Sequence, residues 1–200
     1  MKKFVFLLIT ALSIGGSSLT AQLRDKLVPH FGFMLENLDG LDVDRSGALP
    51  VQWTNTALNI GAYYTLVHYK DIVSLGIDPN LQFGIAFPRR TFGYPGVDVL
   101  IQAPVYAMAR VGANATKYNE QRFGIGLGGG INYTRIFRTG LDQRIGYLVP
   151  EFVAEASLVT RGSPITGRIH FTPVNPQITE NNGINYQFSS IIGFGLLYGF

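Results

Sequence analysis

Fifteen residues from Val73 to Phe87 alternate without a break. The odd positions carry Val73, Leu75, Ile77, Pro79, Leu81, Phe83, Ile85 and Phe87, and the even ones Ser74, Gly76, Asp78, Asn80, Gln82, Gly84 and Ala86. Successive side chains of a strand point to opposite faces, so this period specifies a β-strand with one apolar face and excludes an amphipathic helix. Its length is more than twice the usual five or six residues of a strand in a soluble domain. The pattern recurs from Val97 to Val111, where Asp98, Gln102, Tyr106 and Arg110 face away from a run of Val, Ile and Ala. From Arg122 to Thr134 the face opposite Phe123, Ile125, Leu127, Ile131 and Tyr133 is mostly glycine.

Five further segments read as strands: Val28 to Glu36, Ala57 to Tyr69, Gly146 to Val159, Gly167 to Thr172 and Tyr186 to Phe200. In the fourth of the long segments Glu151 and Glu155 oppose Leu148, Phe152, Ala154, Ala156 and Leu158. The last places Phe188, Ile192, Phe194, Leu196, Tyr198 and Phe200 on one face. Eight antiparallel strands in 200 residues form either a soluble sandwich or a membrane barrel. Charged residues make up only 14% of the chain, against about a quarter in ordinary soluble domains, and the polar faces favour Gly, Ser and Asn over Lys. That suits a narrow interior with lipid outside, and aromatic residues near strand ends (Tyr63, Tyr64, Phe83, Phe87, Phe92, Tyr94, Phe123, Tyr133, Phe137 and Tyr186) suit interfacial girdles. The fold class expected is therefore all-β, an eight-stranded antiparallel transmembrane β-barrel. Pro79, Pro104 and Pro150 fall inside strands and predict bulges or ragged pairing, since proline has no ladder donor.

The amino terminus reads as an address. Lys2 and Lys3 precede an apolar run from Phe4 to Leu12, then small residues and Leu19-Thr20-Ala21, the order of a secretory signal peptide cleaved after Ala21. The domains expected are thus a signal peptide over 1–21 and a barrel over 22–200. Loss of the two lysines lowers the formal charge from +3 to about +1, so no nucleic-acid partner is implied. An exported chain without cysteine has neither a disulfide framework nor an acylation site.

At the carboxyl end, Gly193-Phe194-Gly195-Leu196-Leu197-Tyr198-Gly199-Phe200 closes on an aromatic residue after alternate apolar ones. This resembles the terminal signal read by outer-membrane assembly machinery, carried here by Tyr198 and Phe200. With the signal peptide and the eight strands, the chain resembles the small outer-membrane β-barrel proteins of the eight-stranded, OmpA-type transmembrane class without a periplasmic domain. The resemblance implies residence in the bacterial outer membrane, with lipid and lipopolysaccharide around the barrel. It also implies contact with the barrel-assembly machinery during biogenesis and, in an assembly, with other outer-membrane subunits. Hairpin counting then puts Lys70-Asp71, Asn114 to Gln121 and Arg161 to Ile165 on the periplasmic side. The connections Asn37 to Trp53, Pro88 to Gly96, Phe137 to Gln143 and Pro173 to Asn185 fall outside the cell.

An eight-stranded barrel is just wide enough for side chains to fill. The polar faces send Asp78, Asp98, Glu151 and Glu155 inward with Arg110, Arg122, Arg168 and His170, a predicted network of ion pairs and hydrogen bonds. The leading functional expectation is a non-enzymatic structural or surface-exposed barrel, or an accessory subunit of an outer-membrane assembly. A narrow channel through the polar network is one alternative. The other is an outer-membrane hydrolase, because Arg168-Ile169-His170-Phe171-Thr172 distantly resembles the His-x-Ser motif of lipid A 3-O-deacylases. On that resemblance His170 is the base, Thr172 stands at the nucleophile position and Glu180 is the nearby acid, although threonine replaces serine and Pro173 follows where the family has asparagine. Asp42, Asp44 and Ser46 match the opening of a calcium loop, but Trp53 occupies the place of its bidentate acid, so Glu36 and Asp39 read with them as an acidic surface loop. His30 and His68 form no metal pattern, and no cofactor is expected. Gly124 to Gly130 lacks the Lys-Ser/Thr ending of a phosphate-binding loop.

Overall fold

The computed structural model describes residues 26–44, 47–90, 97–137, 144–173, 177–179 and 185–199. The strands are β1 (Leu27–Asp44), β2 (Gly47–Tyr69), β3 (Val73–Arg90), β4 (Asp98–Gly112), β5 (Phe123–Phe137), β6 (Arg144–Thr160), β7 (Ser163–Phe171), β8 (Gln177–Thr179) and β9 (Asn185–Gly199). Each long strand pairs antiparallel with the next, β7 pairs with β9, and β9 returns to β1, closing an eight-stranded barrel. The short β8 adds a hairpin arm to the start of β9, inside the segment expected to be a loop. The signal-peptide residues lie outside the described residues, as do the side chains of Asp42 and Asp44 and all of Ser46, Glu180 and Phe200.

Alternation sorts side chains cleanly. Phe31, Phe33, Leu35, Leu58, Ile60, Leu75, Phe83, Phe123, Leu127, Phe152, Phe194 and Leu196 form an exposed apolar exterior, while the intervening residues are buried. Water would not leave such a surface bare on a stable monomer, because it far exceeds the apolar patches that soluble proteins carry. Lipid is the solvent that fits. Strands β1 to β3 run well past the roughly 9 to 11 residues a tilted span needs. On β1 the outward residues change from Phe31, Phe33 and Leu35 to Asn37 and Asp39, which places the upper edge of the apolar belt.

The connection expected from Asn37 to Trp53 is mostly a β-ladder, paired from Asn37↔Thr54 to Asp44↔Gly47. At the opposite end the hairpins are tight. Arg161 and Gly162 both take positive φ (54° and 85°), the twist that lets two residues join adjacent strands. Lys70 and Asp71 do the same (48° and 56°).

Proline disturbs the sheet locally. Pairing of β3 with β4 is interrupted between Pro79↔Val105 and Gln82↔Gln102, where Pro104 also lies, without a change of register. Pro150 stays in register with Ile131 of β5, and β7 reaches only as far as Phe152 of β6, so no β7 residue faces Pro150 across the ladder.

Two departures from period two were not legible. Leu66 is an extra residue between Thr65 and Val67 of β2, so Leu66 and Val67 are both exposed. Ser189 is an extra residue on β9, where the register against β1 shifts at Asp39/Gly40. A bulge reverses the facing of everything beyond it. Phe188 therefore points inward, not outward with Ile192 as its even number suggested, and Ile191 joins it.

Candidate lumenal site

The barrel interior is built in layers, because each strand contributes every second residue at a fixed height. Nearest the short turns, Gly112 (φ 80°) and Asn114 (φ 67°) fold the β4–β5 connection over the barrel opening. Ala113, Asn114, Ala115 and Thr116 are buried there. Asn114 donates to Thr166 Oγ1 of β7 at 3.2 Å, Thr166 shares a 2.8 Å bond with Ser157, and Thr116 reaches Asp71 of the neighbouring turn. The unusual length of this turn, conspicuous in the sequence, is what allows it to cover the opening.

The next layer is an ion-pair quartet. Arg110 donates from Nε to Glu155 Oε2 at 2.9 Å and from Nη2 to Glu155 Oε1 and Asp78 Oδ2, both at 3.2 Å. Arg168 donates from Nε to Glu155 Oε1 at 2.8 Å, from Nη1 to Asn80 Oδ1 at 3.3 Å, and from Nη2 to Asp78. Two guanidiniums thus meet two carboxylates with side chains almost wholly shielded from solvent. Aromatic faces complete the shell: Arg110 lies 4.0 Å from the ring centre of Tyr63, and Arg168 lies 5.5 Å from that of Tyr106. Tyr63 is therefore an interior residue, not part of the girdle. His30 joins from β1 with Nε2 at 2.9 Å from Asn80 Oδ1 and 3.5 Å from Asp78 Oδ1.

Above the quartet sits a second cluster. Glu36 accepts from Asn55 and from Gln102, both at 3.0 Å. Glu151 accepts from Tyr106 at 2.6 Å and Asn132 at 2.9 Å, and its Oε2 lies 3.2 Å from His170 Nδ1. The other ring nitrogen, His170 Nε2, has no hydrogen-bond partner and lies 4.0 Å from Glu36 Oε2. Glycine makes this placement possible. His170 pairs across the ladder with Gly193, and a Cβ at Gly193 would collide with the imidazole. His30 lies in the same way against Gly61.

Toward the long-loop end the interior turns apolar. Leu38, Trp53, Ala57, Ala86, Leu100, Ile136, Tyr147, Val149, Phe188 and Ile191 form one buried cluster. Phe188 packs between Trp53 and Tyr147 at 5.6 Å from each ring. The bulge at Ser189 supplies its central ring.

Among the sequence-predicted residues, Asp78, Arg110, Glu151, Glu155, Arg168 and His170 converge in the two polar layers. Asp98 is buried at the loop end of β4, away from them in chain position. Arg122 is exposed, one residue before β5 at the short-turn end, so it is not a member of the network. Glu36 belongs to the interior and not to an acidic surface loop, because β1 continues through it as a paired strand. His30 belongs to the interior as well, with the inward parity of Met34 and Glu36. His68 is exposed beside Asp71. Tyr198 faces outward on β9.

Of the hydrolase triad, His170 Nε2 and Thr172 Oγ1 are both buried without a hydrogen-bond partner among the described residues, so they do not bond each other, and Glu180 lies outside the described residues. Asp42 and Asp44 of the calcium-loop reading lie on extended backbone paired with Leu49 and Gly47, and Ser46 lies outside the described residues.

No protein-family model matches the sequence, and no curated protein matches it. Among solved structures, the outer membrane protein OprG from Pseudomonas aeruginosa is similar with a TM-score of 0.54 at 10% identity, over 87% of this chain and 95% of that one. Neisserial surface protein A (NspA) is similar with a TM-score of 0.43 at 12% identity, over 84% of this chain and 95% of that one. A closed antiparallel sheet of eight long strands with an apolar exterior, together with the likeness to OprG, gives this chain the fold of the small β-barrel proteins of the bacterial outer membrane.

Proposed function

We propose that this outer-membrane barrel is a closed, non-enzymatic structural element of the envelope. It presents the long β1–β2 hairpin at the cell surface, alone or as an accessory subunit of a larger outer-membrane assembly. The observation that carries this reading is the filled interior: a turn across one opening, then a neutral ion-pair quartet, then an apolar layer around Trp53 and Phe188. An ion crossing that path would lose most of its hydration beside Leu38, Leu100 and Ile136, whose side chains offer no polar atom in return. In this reading lipopolysaccharide and phospholipid cover the exterior belt, the short turns face the periplasm, and the barrel-assembly machinery inserts the chain.

Planar-bilayer recording tests it. Purified barrel gives no conductance above the lipid baseline, whereas a narrow channel would give steps that change when Arg110 or Glu151 is replaced. Steps of that kind would overturn the closed-barrel reading. Lipid A mass spectrometry with and without the protein is the second arm, and loss of an acyl chain that depends on His170 would restore the hydrolase.

A further inference from the structure

We infer that Glu36, Glu151 and His170 form a binding site for one divalent transition-metal ion, of which zinc is the type case, inside the barrel. Three side chains from β1, β6 and β7 each bring a ligand atom within 4.8 Å of the others, and all three are buried. The independent sign of a ligand is His170 Nε2. It is wholly buried, it has no hydrogen-bond partner among the described residues, and it lies 4.0 Å from Glu36 Oε2. That gap is too wide for a hydrogen bond, and a closure of about 0.7 Å brings it to the roughly 3.3 Å that separates two ligands of a tetrahedral ion with bonds of about 2.0 Å.

Charge leads to the same place. In the quartet Arg110 and Arg168 balance Asp78 and Glu155, so neither guanidinium remains for the layer above. Glu36 and Glu151 are left facing one imidazole. A divalent cation with a neutral imidazole balances two carboxylates, and a mixed nitrogen and oxygen set selects zinc-like ions over calcium or magnesium.

The surroundings hold these ligands as a metal's outer partners do. Asn55 and Gln102 fix Glu36, Asn132 and Tyr106 fix Glu151, and Nε2 is the ring nitrogen that carries no hydrogen bond among the described residues. Gly193 leaves the imidazole the space it occupies. The apolar layer above and the quartet below close the site, so the ion enters as the barrel folds and exchanges slowly afterwards.

The test refolds the full chain into detergent with zinc chloride or with EDTA, removes free metal, and measures bound zinc by mass spectrometry. Folding is scored on the same samples by gel mobility before and after boiling. The expected result is about one zinc per folded chain, none in the boiled form, and a higher conversion temperature than in EDTA. Magnesium and calcium give no shift. Tyr106→Phe keeps the ring and removes only the hydroxyl that positions Glu151, so it folds and weakens zinc binding by about tenfold or more. His170→Gln abolishes binding. Should His170→Gln fail to fold, cobalt refolded with the unaltered chain reports the nitrogen ligand through its ligand-field spectrum. Folded barrel that carries no stoichiometric zinc and converts at one temperature in zinc and in EDTA would overturn the site, and would mean that protons balance the two glutamates.

Discussion

Replacing Glu155 with glutamine tests the ion-pair quartet most directly. The two side chains have nearly the same shape, so packing is kept. The carboxylate receives Arg110 Nε and Nη2 and Arg168 Nε at 2.8 to 3.2 Å, and an amide offers one acceptor in place of two while turning its NH2 toward a guanidinium. The layer then holds two positive charges against Asp78 alone. Breaking a buried pair on one side costs about 3 to 5 kcal/mol, because a charge stays buried without its partner. Against a typical stability of roughly 5 to 15 kcal/mol the variant still folds, with a large part of its margin gone.

A charge-balanced companion separates lost charge from lost contact. Arg110→Met with Glu155→Leu removes one charge of each sign and leaves Arg168 paired with Asp78. Buried pairs replaced by apolar residues of similar volume are often neutral or better. The double variant is therefore expected to be more stable than Glu155→Gln despite carrying an additional change. Urea unfolding in detergent is the assay. Its signal is the fluorescence of Trp53, the one tryptophan in the chain, which is fully buried in the apolar layer. Glu155→Gln lying within about 1 kcal/mol of the parent would refute the dry quartet and indicate a hydrated lumen.

Four other outcomes are expected. Gly193→Ala forces the His170 imidazole aside and destabilises the barrel by about 1 to 3 kcal/mol, whereas Gly167→Ala, where a Cβ would meet only Ala156 O at 3.9 Å, is neutral or slightly stabilising in the same assay. Deleting Ser189 removes the bulge and joins Phe188 directly to Ser190, opposite Gly40 and Asp39 as in the parent, so Phe188 stays inward and Trp53 emission is unchanged; a red shift would refute the assignment of Ser189 as the extra residue. The parent protein extracted from membranes migrates differently before and after boiling, and unchanged migration would contradict the barrel. The parent has no cysteine, so single cysteines report sidedness cleanly: in intact cells an impermeant thiol reagent labels Asn37→Cys and spares Lys117→Cys, and the reverse would invert the topology.

The strands and their two faces were legible because a side chain's facing is a local property, fixed by parity along ten or fifteen residues. Arg110, Glu155 and Arg168 could be turned inward from β4, β6 and β7 on that ground alone. Parity fails where an extra residue enters, and no residue type marks Leu66 or Ser189 as extra; each differs from its neighbours only in the ladder across from it. Strand ends failed for a related reason. Polar residues such as Asn37, Asp39 and Asp42 look like a loop, but past the edge of the lipid a paired strand has no need of an apolar face.

The composition of the lumen was legible, and its pairing was not. Asp78 meets Arg168 ninety residues away in the chain, and Glu36 meets Gln102 sixty-six residues away, so both contacts depend on barrel closure and on heights set by register. A single slipped pair in any hairpin would place Glu155 opposite other partners and leave a guanidinium buried without an acid. The quartet therefore supports the fold in a second way: it penalises wrong registers by the same few kcal/mol that Glu155→Gln is expected to cost. Lipid-facing strands of Val, Ile, Ala and Leu discriminate poorly among registers, since lipid accepts any of them. In a barrel whose exterior tolerates so much, register is selected from the inside, and the few charged residues that are buried stand where a slip is most costly.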